Sequence, residues 1–213
     1  LTQSSQQIRR DIVFLLADAG MEQVLRGFLG RQQFHRSLRC GTFSFDPDED
    51  IIVAATNDPG VYQTAREFLR PYERSHQRAV VILDADWEGS PGAAAIRDHI
   101  QQGLDGAWQY YAVIVIEPEL EAWIMQDNPH LAQVFRCPPD FRKILEGAGW
   151  WPADSAKPPR PKEALVYLRK YHRTRAYNAE FGKLAALISV RRCVDPAFGQ
   201  LCDHLRTWFP EQS

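Results

Sequence analysis

The stretch that most restricts what this chain can fold into is Ala79–Leu83, AVVIL, followed at once by Asp84-Ala85-Asp86-Trp87-Glu88-Gly89. Five consecutive apolar residues closed by charge predict a strand buried on both faces, as in the centre of a parallel sheet covered by helices. Ile12–Leu16 and Tyr111–Ile116 repeat the pattern, and Thr42–Phe45 and Ile51–Ala55 read as strands around the acidic turn Asp46–Asp50. Between these runs the apolar spacing turns helical. Val24, Leu25, Phe28 and Leu29 form one stripe and Ile96 with Ile100 another, while Asp58-Pro59 reads as a helix start with aspartate as cap and proline in the first turn. Strands alternating with helices predict an α/β fold: a parallel sheet wrapped by helices.

After Asn128 the strand patterns stop. Pro139–Ala148, Lys162–Tyr171, Phe181–Val190 and Phe198–Phe209 read as helices joined by proline-rich links such as Lys157-Pro158-Pro159-Arg160-Pro161. The expected organisation is an α/β domain over residues 1–128 and a helical C-terminal subdomain over 129–213. No apolar run reaches the roughly 18–20 residues needed to span a bilayer. Asp18 breaks the short apolar stretch that follows Arg9-Arg10, so a leader peptide is not expected and the reading is cytoplasmic, without membrane. Cys40, Cys137, Cys193 and Cys202 show neither CxxC spacing nor paired histidines, which argues for reduced structural thiols. The absence of GxxxxGK[ST] excludes P-loop chemistry, and that of GxSxG excludes a serine nucleophile elbow.

The chemistry centres on the end of the AVVIL strand. Alternate side chains of a strand share a face, so Asp84 and Asp86 are expected to point together from the carboxyl edge of the sheet, where open α/β sheets bind ligands. Two carboxylates there repel unless a cation lies between them, and hard oxygen ligands suit Mg²⁺ or Mn²⁺. Glu88 would extend the acidic patch. Asp18 and Glu22 follow the first strand, and Glu117, Glu119 and Glu121 follow the strand ending at Ile116. If these ends converge, the carboxylates would hold ions that activate water and stabilise a leaving oxygen in phosphoryl transfer. Read singly, each of these acids is equally a helix-capping group.

LDADWEG, EPELEAWIM, HRSLRCGTFSF, NDPGVY and DADWEGSPGAA together resemble Toprim-like domains of the kind found in topoisomerases, primases and OLD-type nucleases. Most of all, the chain is similar to the small Toprim-like components of bacterial methylation-associated phage-defence systems. The resemblance implies a Mg²⁺-dependent (or Mn²⁺-dependent) nuclease or nuclease subunit in anti-phage defence. Asp84, Asp86, Glu119 and Glu121 would serve the metal, with Asp18 or Glu22 as base or ligand. It departs from the family pattern at FLLADAGMEQVL, where Ala17 stands in place of the expected glutamate.

Net charge is −2, but it is divided: residues 1–141 hold 12 basic and 20 acidic side chains, and residues 142–192 hold 12 and 4. Lys162, Arg169, Lys170, Arg173 and Arg175, interleaved with Tyr167, Tyr171 and Tyr177, are the expected nucleic-acid contacts, arginine and lysine meeting phosphates and tyrosine stacking on bases. The implied partners are DNA and other defence proteins, with an oligomer left open. A competing expectation, favoured by Ala17, is a catalytically degenerate Toprim-like scaffold that binds a defence partner or nucleic acid. A phospho-accepting receiver domain fits poorly, since residues 1–141 contain no lysine.

Overall fold

A computed structural model describes residues 9–171 and 177–211. Four strands, β1 (Val13–Leu16), β2 (Ile51–Val53), β3 (Arg78–Asp84) and β4 (Tyr110–Ile116), form one all-parallel sheet in the order β2-β1-β3-β4. The helices are α1 (Ala19–Leu29), α2 (Phe34–Leu38), α3 (Asn57–Leu69), α4 (Ala93–Leu104), α5 (Glu121–Ile124), α6 (Pro129–Phe135), α7 (Phe141–Gly147), α8 (Pro161–Leu168), α9 (Tyr177–Leu187) and α10 (Pro196–Trp208). The α/β class and the parallel sheet are those the apolar runs predict. All four residues of β1 and the span Ala79–Leu83 of β3 are buried, as two-sided coverage requires.

The connection through α1 steps from β1 to β2, whereas those through α3 and α4 step the opposite way. Right-handed crossovers therefore place α1 on one face and α3 with α4 on the other. The contacts agree: α3 packs on α4, and α1 packs on α9. That second contact is close, because a Cβ at Gly27 would lie 2.5 Å from the Gly182 carbonyl oxygen. On the same face Phe198 of α10 meets Phe28, with ring centroids 5.2 Å apart, and Trp123, at 5.1 Å. The described residues after 128 thus contribute helices alone, and these share one apolar core with the sheet.

Thr42–Phe45, expected as a strand, joins no sheet. Its alternating phenylalanines act as plugs: Phe45 packs edge-on against Phe14 of β1, and Phe43 stacks on Phe209 at 4.4 Å. The backbone here bonds elsewhere, Ser44 N–H to the Asp11 carboxylate and Gly41 N–H to the Phe209 carbonyl. Among the described residues no helix is long and apolar enough to cross a membrane.

Beside the amino ends of the strands, fully buried Asp50 accepts hydrogen bonds from Arg10, His76 and the Asp46 N–H. Burial pushes its carboxyl up, but the bonds from Arg10, His76 and Asp46 prevail and hold it at about 2. A carboxylate depressed in the fold stabilises it above the unfolded value and loses that contribution as pH falls through about 2. Wild type should therefore lose roughly 2 kcal/mol between pH 5 and pH 2 from this group. Asp50→Asn should flatten that limb in urea titrations across pH; an unchanged acid limb would remove Asp50 from this role.

Candidate acidic site

The order β2-β1-β3-β4 places the topological switch between β1 and β3, the point at which open α/β sheets form a crevice. Leu16 pairs with Ile82, and two residues later each strand delivers an aspartate, Asp18 from β1 and Asp84 from β3. Asp84 also pairs with Ile116, three residues before Glu119. The shared register of a parallel sheet thus brings these acids to one edge.

Asp84 is the centre. Its Oδ1 is buried and has no hydrogen-bond partner among the described residues. Burial first, then the charges of Asp58, Asp18, Glu121 and Glu119, raise its carboxyl well above the ordinary range. Asp58 Oδ1 accepts the Asp84 N–H at 2.8 Å, and burial raises Asp58 against that bond. Buried Glu121, at the start of α5, is pushed to about 7 by burial and then by Glu119. Glu119, also buried, accepts Lys162 Nζ at 3.0 Å. That bond and the charges of Glu119, Glu121 and Asp84 raise the lysine further, against its own desolvation.

Several expected site residues are placed otherwise. The strand ends at Asp84, so alternation does not carry on to Asp86, which is exposed in the following turn together with Glu88. Gly89 and Gly92 turn the chain there with φ of +82° and +91°, a conformation glycine adopts without strain. Asp18 caps α1 by accepting the Met21 N–H at 2.8 Å, yet its charge still bears on Asp58, Asp84 and Glu121. Glu22 is tied to Arg26 at 2.8 Å, and Arg26 also pairs with Asp48. Ala17 is fully buried, its N–H bonded to the Ile82 carbonyl.

The basic residues also divide. Lys162 serves the acidic edge itself. Arg169 is mostly enclosed and pairs with Glu180 at 3.3 Å. Lys170 is exposed above the Tyr167 ring, 4.3 Å from its centroid. Arg173 and Arg175 lie outside the described residues.

Asp58 is the member that sequence reasoning took for a helix cap. α3 begins one residue earlier, at Asn57, and the Asp58 carboxylate turns to β3 instead. Its position just past the end of β2, beside two other strand ends carrying acids, was the available signal.

Among the described residues no three or more histidine, cysteine or acidic side chains are grouped so that they could together hold a metal ion. The donor set nonetheless suits a hard cation. Mg²⁺ commonly takes only one or two carboxylates, filling its remaining positions with water and substrate phosphate. An orphaned carboxylate oxygen beside Asp58 offers such a foothold. Thiol chemistry has no corresponding support: burial lifts Cys40, Cys137 and Cys202 to about 11 and Cys193 to about 12, so all stay protonated and poorly nucleophilic.

In comparisons with known proteins, the chain matches no protein-family model, no curated protein and no solved structure.

Proposed function

We propose that this chain is a Toprim-like, Mg²⁺-dependent (or Mn²⁺-dependent) nuclease or nuclease subunit that hydrolyses nucleic-acid phosphodiesters in bacterial anti-phage defence. The observation that carries the chemistry is the buried, unpartnered Asp84 oxygen at the switch point, with Asp18, Asp58, Glu119 and Glu121 around it. A purely structural acid would have its enclosed oxygen satisfied by a donor; Asp84 Oδ1 has none among the described residues. Asp84 and Asp58 would hold the metal, which supplies Lewis acidity towards a phosphoryl oxygen and an activated water. Glu119 and Glu121 bring further negative charge, and Lys162 offsets part of it until a cation arrives. Asp18, fixed by its capping bond, orients the edge of β1. The defence role rests on the motif resemblance.

Two observations favour the second reading, a non-cutting scaffold that binds a defence partner or nucleic acid. Ala17 supplies no carboxylate where the Toprim-like pattern has a glutamate, and Lys162 already pairs with Glu119.

Calorimetric titration of the purified chain with Mg²⁺ and with Mn²⁺, beside cleavage of plasmid and single-stranded DNA, separates the two. The nuclease reading expects saturable binding and metal-dependent cutting, both lost in Asp84→Ala. Binding without cutting supports the scaffold, or a subunit requiring its partner. Absence of binding by the folded wild type rejects the metal site.

A further inference from the structure

Asp58 and Tyr62 stand one turn apart on α3, so both project from the same side of the helix. The Tyr62 ring lies 4.5 Å from that of His99 on α4 and 6.1 Å from that of Trp87, three residues beyond Asp84. Tyr62 and His99, with Gln63, Arg66 and Gln102, line a cleft of about 310 Å³. The Tyr62 ring thus stands one turn from Asp58, and the cleft it opens carries amide and guanidinium groups with the Glu67 carboxylate at its margin.

A second aromatic surface begins on α8. Lys162 reaches Glu119, and Tyr167 follows five residues later, about 7.5 Å along the helix axis. The Tyr167 ring lies 6.1 Å from Trp150; exposed Arg160 sits 4.8 Å over Trp150 and exposed Lys170 sits 4.3 Å over Tyr167. Two neighbouring half-buried rings are thus flanked by two exposed cations, one over each ring. Trp151, by contrast, is fully enclosed and serves the core.

Aromatic faces discriminate between forms of nucleic acid. A duplex hides the faces of its bases and offers only groove edges and phosphates, whereas a single strand can lay its bases on a ring. We infer that the acidic edge is served by a single-stranded path: unpaired bases stack on Tyr62, His99 and Trp87 to one side and on Trp150 and Tyr167 to the other, with Arg160 and Lys170 meeting the phosphates. This deepens the nuclease reading, on which it rests for the role of Asp84, and names the substrate as a strand with unpaired bases.

The test is fluorescence anisotropy in EDTA at low salt with three labelled probes: oligothymidylate, a hairpin duplex with the same number of phosphates, and an abasic strand of that length. Repulsion from the carboxylates is common to all three, so the ratios report base stacking. Oligothymidylate should bind about tenfold more tightly than either of the others. Tyr62→Ala and Tyr167→Ala should each weaken it by about tenfold with the circular dichroism unchanged, and Tyr62→Phe, which keeps the ring, should bind as wild type does. Equal affinities for the three probes, no binding to any, or folded alanine variants that bind like wild type would overturn the single-stranded path. Because no metal is present, selective binding beside a failed Mg²⁺ titration would reject the metal reading alone, and the converse pattern would reject this path alone.

Discussion

Asp84→Asn is expected to melt above wild type in EDTA at pH 8, and to lose any upward shift that Mg²⁺ gives the wild type. Asparagine matches aspartate in shape but brings no charge into the group formed by Asp18, Asp58, Glu119 and Glu121, so the repulsion that raises Asp84 disappears. A gain of about 1–2 kcal/mol, or some 2–8 °C for a chain of this size, is the usual reward for relieving a functional position. A residue whose work is structural behaves in the opposite way, losing stability when its charge is removed. Differential scanning fluorimetry with and without Mg²⁺ reads both quantities in one experiment. A variant that melts below wild type in EDTA would show that Asp84 supports the fold instead of straining it.

The same strain gives the acidic edge a pH dependence opposite to that of Asp50. Glu121 is raised from 4.5 to about 7, so the folded chain holds this proton more tightly than the unfolded chain does. Its contribution is complete below pH 4.5 and declines as pH rises through about 7, by on the order of 3 kcal/mol in all. In EDTA the wild type should therefore lose stability between pH 5 and pH 8, and Glu121→Gln should lose markedly less. With Asp50 acting below pH 4, stability without metal should peak on the acid side of neutrality.

How much of this was legible in the sequence depended on the range of the interaction. AVVIL and its counterparts located the sheet because a strand covered on both faces has to be apolar at every position. The acids at strand ends were legible for the same reason, since polarity resumes where coverage stops. Asp86 misled because alternation holds only inside a strand, and β3 ends at Asp84. Thr42–Phe45 misled because two phenylalanines at alternate positions serve a strand and a pair of core plugs equally well. Lys162 was read for its local basic run, whereas its partner Glu119 is 43 residues away, a pairing no local pattern encodes. Trp150 and Trp151 are adjacent and chemically identical. Only the fold makes one an enclosed core residue and the other a half-exposed platform under Arg160.

Asp195 shows how a local signal can conceal a long-range one, and its removal should be among the most damaging single changes in the chain. Asp195 caps α10, which starts two residues before the Phe198 expected from sequence, its Oδ1 accepting the N–H groups of Ala197 at 2.9 Å and Phe198 at 3.3 Å. The same oxygen also takes the indole N–H of Trp123 at 3.1 Å, and its Oδ2 pairs with Lys157. One enclosed carboxylate thereby fastens α10, the α5 turn carrying Glu121, and the proline-rich link leading to α8 and Lys162. Asp195→Ala leaves the Trp123 donor without its acceptor and the Lys157 charge, itself 26% exposed, without its partner, a loss of about 3 kcal/mol, the lower end for a broken buried pair. Asp195→Asn keeps an acceptor for the cap and the indole, so it should lose much less. Urea unfolding of both variants measures the difference. Limited proteolysis should then show cleavage near residues 152–160 rising in Asp195→Ala, since the tether of that link is gone. If alanine proves no worse than asparagine, the acceptor that Asp195 offers to the cap and the indole is incidental and the helices after residue 128 are held to the sheet by apolar packing.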